Sequence, residues 1–164
     1  MMKRDDLLKG KKILIVDDEP DILDTLEDSL YMCDITKANS FNEAIDLLKS
    51  MHFDLAVIDI MGVDGYKILE IANEKKILSV MLTAHALNPE NIIKSYKEGA
   101  ASYIPKDKMG DITIFLTDIL EAKEKGKHFW WCWLERLDSY CEKKFGEDWK
   151  NIDKEFWDDF GYFM

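Results

Sequence analysis

Five side chains in this sequence have the types that phosphoryl chemistry requires: the adjacent acids Asp17 and Asp18, a third acid Asp59, the hydroxyl of Thr83 and the ammonium of Lys106. Each stands at the end of a short apolar run. Asp17 and Asp18 follow Lys12–Val16, Asp59 follows residues 55–58, Thr83 follows 80–82, and Lys106 comes just after Ile104 and Pro105. If those runs are parallel strands of one sheet, their carboxyl ends meet around a single crevice. Carboxylates gathered there repel one another, each close pair by about 4 kcal/mol at roughly 4 Å and an effective dielectric of about 20. Cations must compensate. Lys106 supplies one, and Mg²⁺ (or Mn²⁺) is a natural second, because a hard ion takes carboxylate oxygens, keeps several waters and binds phosphate oxygens. With metal, ammonium and hydroxyl aimed at developing negative charge, Asp59 is placed to act as a carboxylate nucleophile toward a phosphoryl group.

The elements that would hold these groups can be read along the chain. Residues 20, 22, 23, 26 and 30 give Pro at a first helical position and then apolar side chains at helical spacing, with Asp21, Asp24, Glu27 and Asp28 opposite. A second strand over residues 35–38 leads to Ser40 and Glu43, a capping-box pair that opens a second helix. A third helix is expected over 65–75, a fourth from the Asn88-Pro89 pair to about 98, and a fifth from 112 to about 125, with the fifth strand at 102–104. Strands alternating with helices in this way call for a doubly wound, five-stranded parallel sheet flanked by five helices, since each parallel crossover needs a helix on a face.

Composition narrows the functional classes. The net charge of -11 carries no footprint for nucleic acid or an anionic membrane, whose phosphates require clustered Lys and Arg. No apolar run is long enough to span a bilayer and the first residues lack a leader's apolar core, so a cytoplasmic protein is expected. Three cysteines without C-x-x-C spacing argue for reduced thiols; His128 and Cys132 lie four apart, but too few further ligands surround them for a zinc site.

The chain divides into residues 1–125 and a composition-distinct extension, 126–164, in which twelve of the 39 residues are aromatic, including all five tryptophans. Trp130, Trp133, Leu134, Leu137 and Cys141 form one helical stripe, Phe145-Gly146 a break, and Trp149, Ile152, Phe156, Phe160 and Phe163 a second stripe. Aromatic surface of this extent does not stay in water. It is expected to pack on the fifth helix, near the fourth helix and fifth strand, or on a second copy of the chain, a homodimer being favoured.

The set Asp17-Asp18, Asp59, Thr83-Ala84 and Lys106, with Asp64-Gly65 after the third strand, resembles the receiver domain of two-component response regulators over roughly residues 10–125. The resemblance implies a flavodoxin-like fold and a signalling module, not an enzyme. Asp59 would accept a phosphoryl group from a histidine kinase or histidine phosphotransfer protein. Asp18 would ligate Mg²⁺ directly and Asp17 through water, with Asp59 and the backbone carbonyl of Met61 completing the protein's share of the metal shell. Thr83 would follow the phosphoryl group, and Tyr103 would be an aromatic switch, although a half-buried core aromatic reads the same way. Two features depart from the family pattern: the loop 60–65 is about two residues short and lacks its proline, and the Lys-Pro pair is replaced by Pro105-Lys106-Asp107. His85 reads as a rim residue.

Two other functions compete. A phosphohydrolase of the haloacid dehalogenase type would need a second acid two residues after the nucleophile, where Met61 stands. A glycine-rich phosphate cradle is excluded by the acidic loop after the first strand. The remaining rival is a receiver-like binding module that takes no phosphate and works through its extension.

Overall fold

A computed structural model describes residues 3–84 and 88–150. Five short strands build its centre: β1 (Lys12–Val16), β2 (Asp34–Ala38), β3 (Leu55–Asp59), β4 (Leu78–Thr83) and β5 (Ser102–Pro105). All pair in parallel, in the order β2-β1-β3-β4-β5. The aliphatic runs behave as strands covered on both faces should: β3 and β5 are buried along their whole length, and β1 everywhere but at Lys12.

The connecting helices are α1 (Pro20–Ser29), α2 (Phe41–Ser50), α3 (Gly65–Glu74), α4 (Pro89–Lys97) and α5 (Ile112–Lys125). Their starts follow the sequence signals. Ser40 Oγ accepts from the Glu43 N–H at 3.2 Å and Asn88 Oδ1 from the Asn91 N–H at 2.8 Å, while Pro20 and Pro89 open α1 and α4. Helix α1 packs beside α5, and α2 beside α3. A short 3₁₀ turn, Lys106–Asp111, joins β5 to α5, a detail the apolar periodicity does not reveal. Among the described residues no helix is long and apolar enough to cross a membrane.

A sixth helix, α6 (Phe129–Phe145), follows a reversal at Gly126, whose φ of 69° ends α5. It ends at Gly146, as the Phe145-Gly146 break predicts. Trp130, Trp133, Leu137 and Cys141 face inward and join the same hydrophobic core as the sheet. The stripe thus lies on the chain's own α5 and β5. Its effect shows in the two edge strands: β2 is largely half-exposed, whereas β5, also an edge, is fully buried. Trp130 Nε1 donates to the Ala100 carbonyl at 2.8 Å and Trp133 Nε1 to the Tyr103 carbonyl at 2.6 Å, so α6 satisfies polar groups along an otherwise open sheet edge. Of the second aromatic stripe only Trp149 is described, and it is buried; Ile152, Phe156, Phe160 and Phe163 lie outside the described residues, as does His85.

Candidate functional site

Parallel strands in this order end together, and the register fixes which residues meet. Asp59 ends β3 opposite Leu82 of β4, and Thr83 ends β4 opposite Pro105 of β5, the residue before Lys106. Asp17 follows β1 directly, and its N–H donates to the Ala38 carbonyl at 3.1 Å, continuing the β1–β2 ladder by one residue. Asp17 and Asp59 are accordingly buried, while Asp18 and Glu19 are exposed at the mouth.

Lys106 crosses the crevice. Its ammonium lies 2.9 Å from Asp17 Oδ2, 3.3 Å from Glu19 Oε1 and 3.5 Å from Asp59 Oδ1. Asp17 Oδ1 is held by the Glu19 backbone N–H at 2.9 Å, whereas the buried Oδ2 accepts no aligned hydrogen bond among the described residues and faces the lysine charge. One ammonium therefore serves three carboxylates, with Asp18 a fourth acid at the mouth. Burial, followed by the neighbouring Asp17 charge, pushes Asp59 up to about 7 against the opposing pull of Lys106. Burial likewise raises Asp17, although the Glu19 N–H and Lys106 oppose it. For Lys106 burial works against the charged form, but Asp17, Asp59 and Glu19 outweigh it and its pKa stands above the ordinary lysine value.

This donor set suits a hard divalent cation. Carboxylate oxygens of Asp17, Asp18 and Glu19 lie within 4.8 Å of one another, and Asp17 Oδ2 is a buried anionic oxygen short of partners. Glu19 was not singled out by sequence, where it reads as one acid in a run before Pro20; its contact with Lys106, 87 positions later, depends on the fold. Asp59 joins these acids through Lys106.

The short loop after β3 is shaped by glycine. Gly62 has φ 87° and a side chain there would stand 2.6 Å from Asp18 Oδ2, so the loop backbone closes directly over that carboxylate. Gly65 opens α3 where a Cβ would fall 2.1 Å from the Asp59 carbonyl oxygen. Met61, immediately before Gly62, is 54% exposed.

Thr83 and Tyr103 are both buried and adjacent. The Tyr103 hydroxyl hydrogen-bonds the Thr83 side chain and the Asn88 backbone, and burial holds the phenol well above its ordinary pKa. Tyr103 is thus fully enclosed rather than half-buried. His128, the helix cap of α6, receives the Trp130 N–H on Nδ1 at 3.2 Å and has the Tyr96 hydroxyl 3.4 Å from Nε2; with both nitrogens facing partners it is not set up as a metal ligand. Cys33, Cys132 and Cys141 are free thiols.

Comparison with known proteins points one way. Residues 13–115 match the family model of the response regulator receiver domain. Two-component response regulator ARR18 of Arabidopsis thaliana is 35% identical over 103 residues, covering 59% of this chain and 16% of that protein. Two-component response regulator ORR22 of Oryza sativa is 31% identical over 110 residues, or 63% of this chain and 16% of that one. The chain thus spans about a sixth of these curated relatives. Among solved structures, a CheY-like receiver domain protein from Methanospirillum hungatei JF-1 is similar over 72% of this chain and 99% of its own, with a TM-score of 0.64 and 28% identity. A receiver domain protein from Clostridium thermocellum gives 0.61 and 26%, over 70% of this chain and 97% of that one.

Proposed function

This chain belongs to the response regulator receiver domain family, and we propose on that basis that Asp59 is its phosphoacceptor. A receiver domain serves two-component phosphorelay signalling; the finer assignment rests on the Lys106 ammonium bridging Asp17 at 2.9 Å and Asp59 at 3.5 Å in a crevice otherwise crowded with carboxylate charge. The donor is a phosphohistidine of a histidine kinase or histidine phosphotransfer protein. An Asp59 carboxylate oxygen attacks phosphorus, the P–N bond breaks as the P–O bond forms, and the imidazole leaves with the nitrogen electron pair and takes a proton from solvent. Asp17, Asp18, Asp59 and the Met61 carbonyl, with Glu19 at the mouth, would hold Mg²⁺, whose charge would offset that of the incoming phosphoryl oxygens. Lys106 supplies the fixed charge on the other side, and Thr83 turns its hydroxyl from Tyr103 toward the phosphoryl group.

The output runs through protein contacts in the cytoplasm rather than through DNA, a reading supported by the net charge of -11. Incubating the protein with acetyl phosphate and Mg²⁺ and measuring its intact mass tests the assignment. One added phosphoryl mass on the parent chain and none on Asp59→Asn is expected. Rapid turnover of many phosphate esters would indicate a hydrolase instead, and no modification at all would indicate a phosphate-independent binding module.

A further inference from the structure

Helix α6 does more than cover apolar surface, because two of its side chains hold the backbone stretch that carries Tyr103 and Lys106. Trp133, itself buried, donates its indole N–H to the Tyr103 carbonyl at 2.6 Å. Tyr140, two helical turns on, brings its hydroxyl to both carboxylate oxygens of Asp107, at 2.7 and 2.8 Å. Asp107 is the residue after Lys106. The two contacts therefore bracket residues 103–107. That stretch needs outside support: Pro105 has no N–H to give to the sheet, and the chain leaves β5 there for a 3₁₀ turn. Lys144, also on α6, adds a charge 3.9 Å from Asp107.

We propose that Trp133 and Tyr140 are positioning residues of the phosphoacceptor site, acting through Tyr103 and Lys106. Trp133 sets the depth of the strand that presses the Tyr103 hydroxyl against Thr83. Tyr140 anchors the turn from which Lys106 reaches Asp17 and Asp59. This inference rests on the reading of Asp59 as phosphoacceptor and gives the extension a part in that chemistry. Linkage then works in both directions: α6 docked in place favours an occupied site, and an occupied site tightens the docking of α6.

The test uses the full chain, Mg²⁺ and beryllofluoride as the phosphoryl analogue, with ¹⁵N-labelled indoles observed by NMR. Trp133 reports on Tyr103. Trp131, whose indole N–H bonds Glu135 of the same helix at 2.6 Å, is the internal control. Filling the site is expected to move the Trp133 signal and leave Trp131 in place. Tyr140→Phe, which deletes only the hydroxyl, is expected to weaken beryllofluoride binding about three- to tenfold, the partial loss of a charge-assisted hydrogen bond, with little change in thermal midpoint. A purely structural role would move the midpoint and not the affinity. If beryllofluoride binds but the Trp133 signal stays fixed and Tyr140→Phe binds equally well, the positioning role is overturned while Asp59 keeps its own. If beryllofluoride and Mg²⁺ do not bind the parent chain at all, the phosphoacceptor reading fails and takes this inference with it.

Discussion

The crevice at the strand ends and the seam between α6 and β5 meet at the same short stretch, residues 103–107, yet they are built on opposite terms. In the crevice three carboxylates share the Lys106 ammonium, a buried Asp17 oxygen lacks an aligned hydrogen bond among the described residues, and Asp59 is pushed up to about 7. In the seam the buried indoles of Trp130 and Trp133 each seat their N–H on a carbonyl, and the rings pack at 5.0 Å between centroids. One region is short of positive charge and is completed by what it binds. The other is already satisfied and contributes stability. Strain kept at a site and offset elsewhere is the usual arrangement in a protein that must respond to a ligand.

That contrast can be tested by substitution, and the seam should show the largest effect. Trp133→Ala removes a nearly fully buried indole together with its hydrogen bond. It is expected to cost about 3–5 kcal/mol in denaturant unfolding. A loss below about 1 kcal/mol would mean that α6 is only loosely held.

An ionic clamp comes next. Asp118 of α5 accepts from Arg136 of α6, through both Nε and Nη2, and from Arg4 near the N-terminus, which also reaches Glu121. The arginines are about two-fifths exposed, so solvent screens much of the attraction. Asp118→Asn, of the same shape, is expected to lose about 1–2 kcal/mol, and the loss should shrink in high salt. A salt-independent loss would point to packing instead.

In the crevice the sign reverses. Asp59→Asn removes a buried charge from among like charges, so metal-free protein is expected to gain about 1 kcal/mol, read as a rise in thermal midpoint of roughly 2–4 °C. A destabilised variant would show that Asp59 holds the fold together, and the contrast would fail.

The smallest effect is one of pH. Burial lowers the His128 pKa below the ordinary 6.5, so over the acid side of that value the unfolded chain binds a proton that the folded chain refuses. Stability contributed here is complete above pH 6.5 and falls as pH drops through the histidine range. His128→Asn keeps a capping acceptor for the Trp130 N–H without the titration, and should flatten that part of the profile. An unchanged profile would assign the slope to other groups.

The same contrast explains what could be read from sequence. Strands of a doubly wound sheet are short aliphatic runs, and their last residues carry the chemistry, so Asp17, Asp59, Thr83 and Lys106 were visible as a set before any contact was known. The stripe Trp130, Trp133, Leu137, Cys141 likewise showed which face of α6 is apolar. Periodicity gives a face but no address. The same stripe fits the chain's own fifth helix and edge strand or a second copy, which the sequence reading favours, and the structure seats it on β5 and α5. Glu19, Arg4 and Tyr140 were illegible for a related reason: each looks like an ordinary solvated side chain in its local window, and its partner lies 87, 114 or 33 positions away. The tight approach of Gly62 to Asp18 was equally hidden, because the shortened loop gives no sign of which way it closes.

Whether the crevice takes a phosphoryl group on Asp59 is decided by locating the group. After treatment with acetyl phosphate and Mg²⁺, borohydride reduction converts an aspartyl phosphate to homoserine, and peptide mass mapping identifies the converted residue. Homoserine is expected at position 59 and at no other aspartate. Conversion at Asp17 or Asp18, or none anywhere under conditions that fully phosphorylate a control receiver, would contradict it.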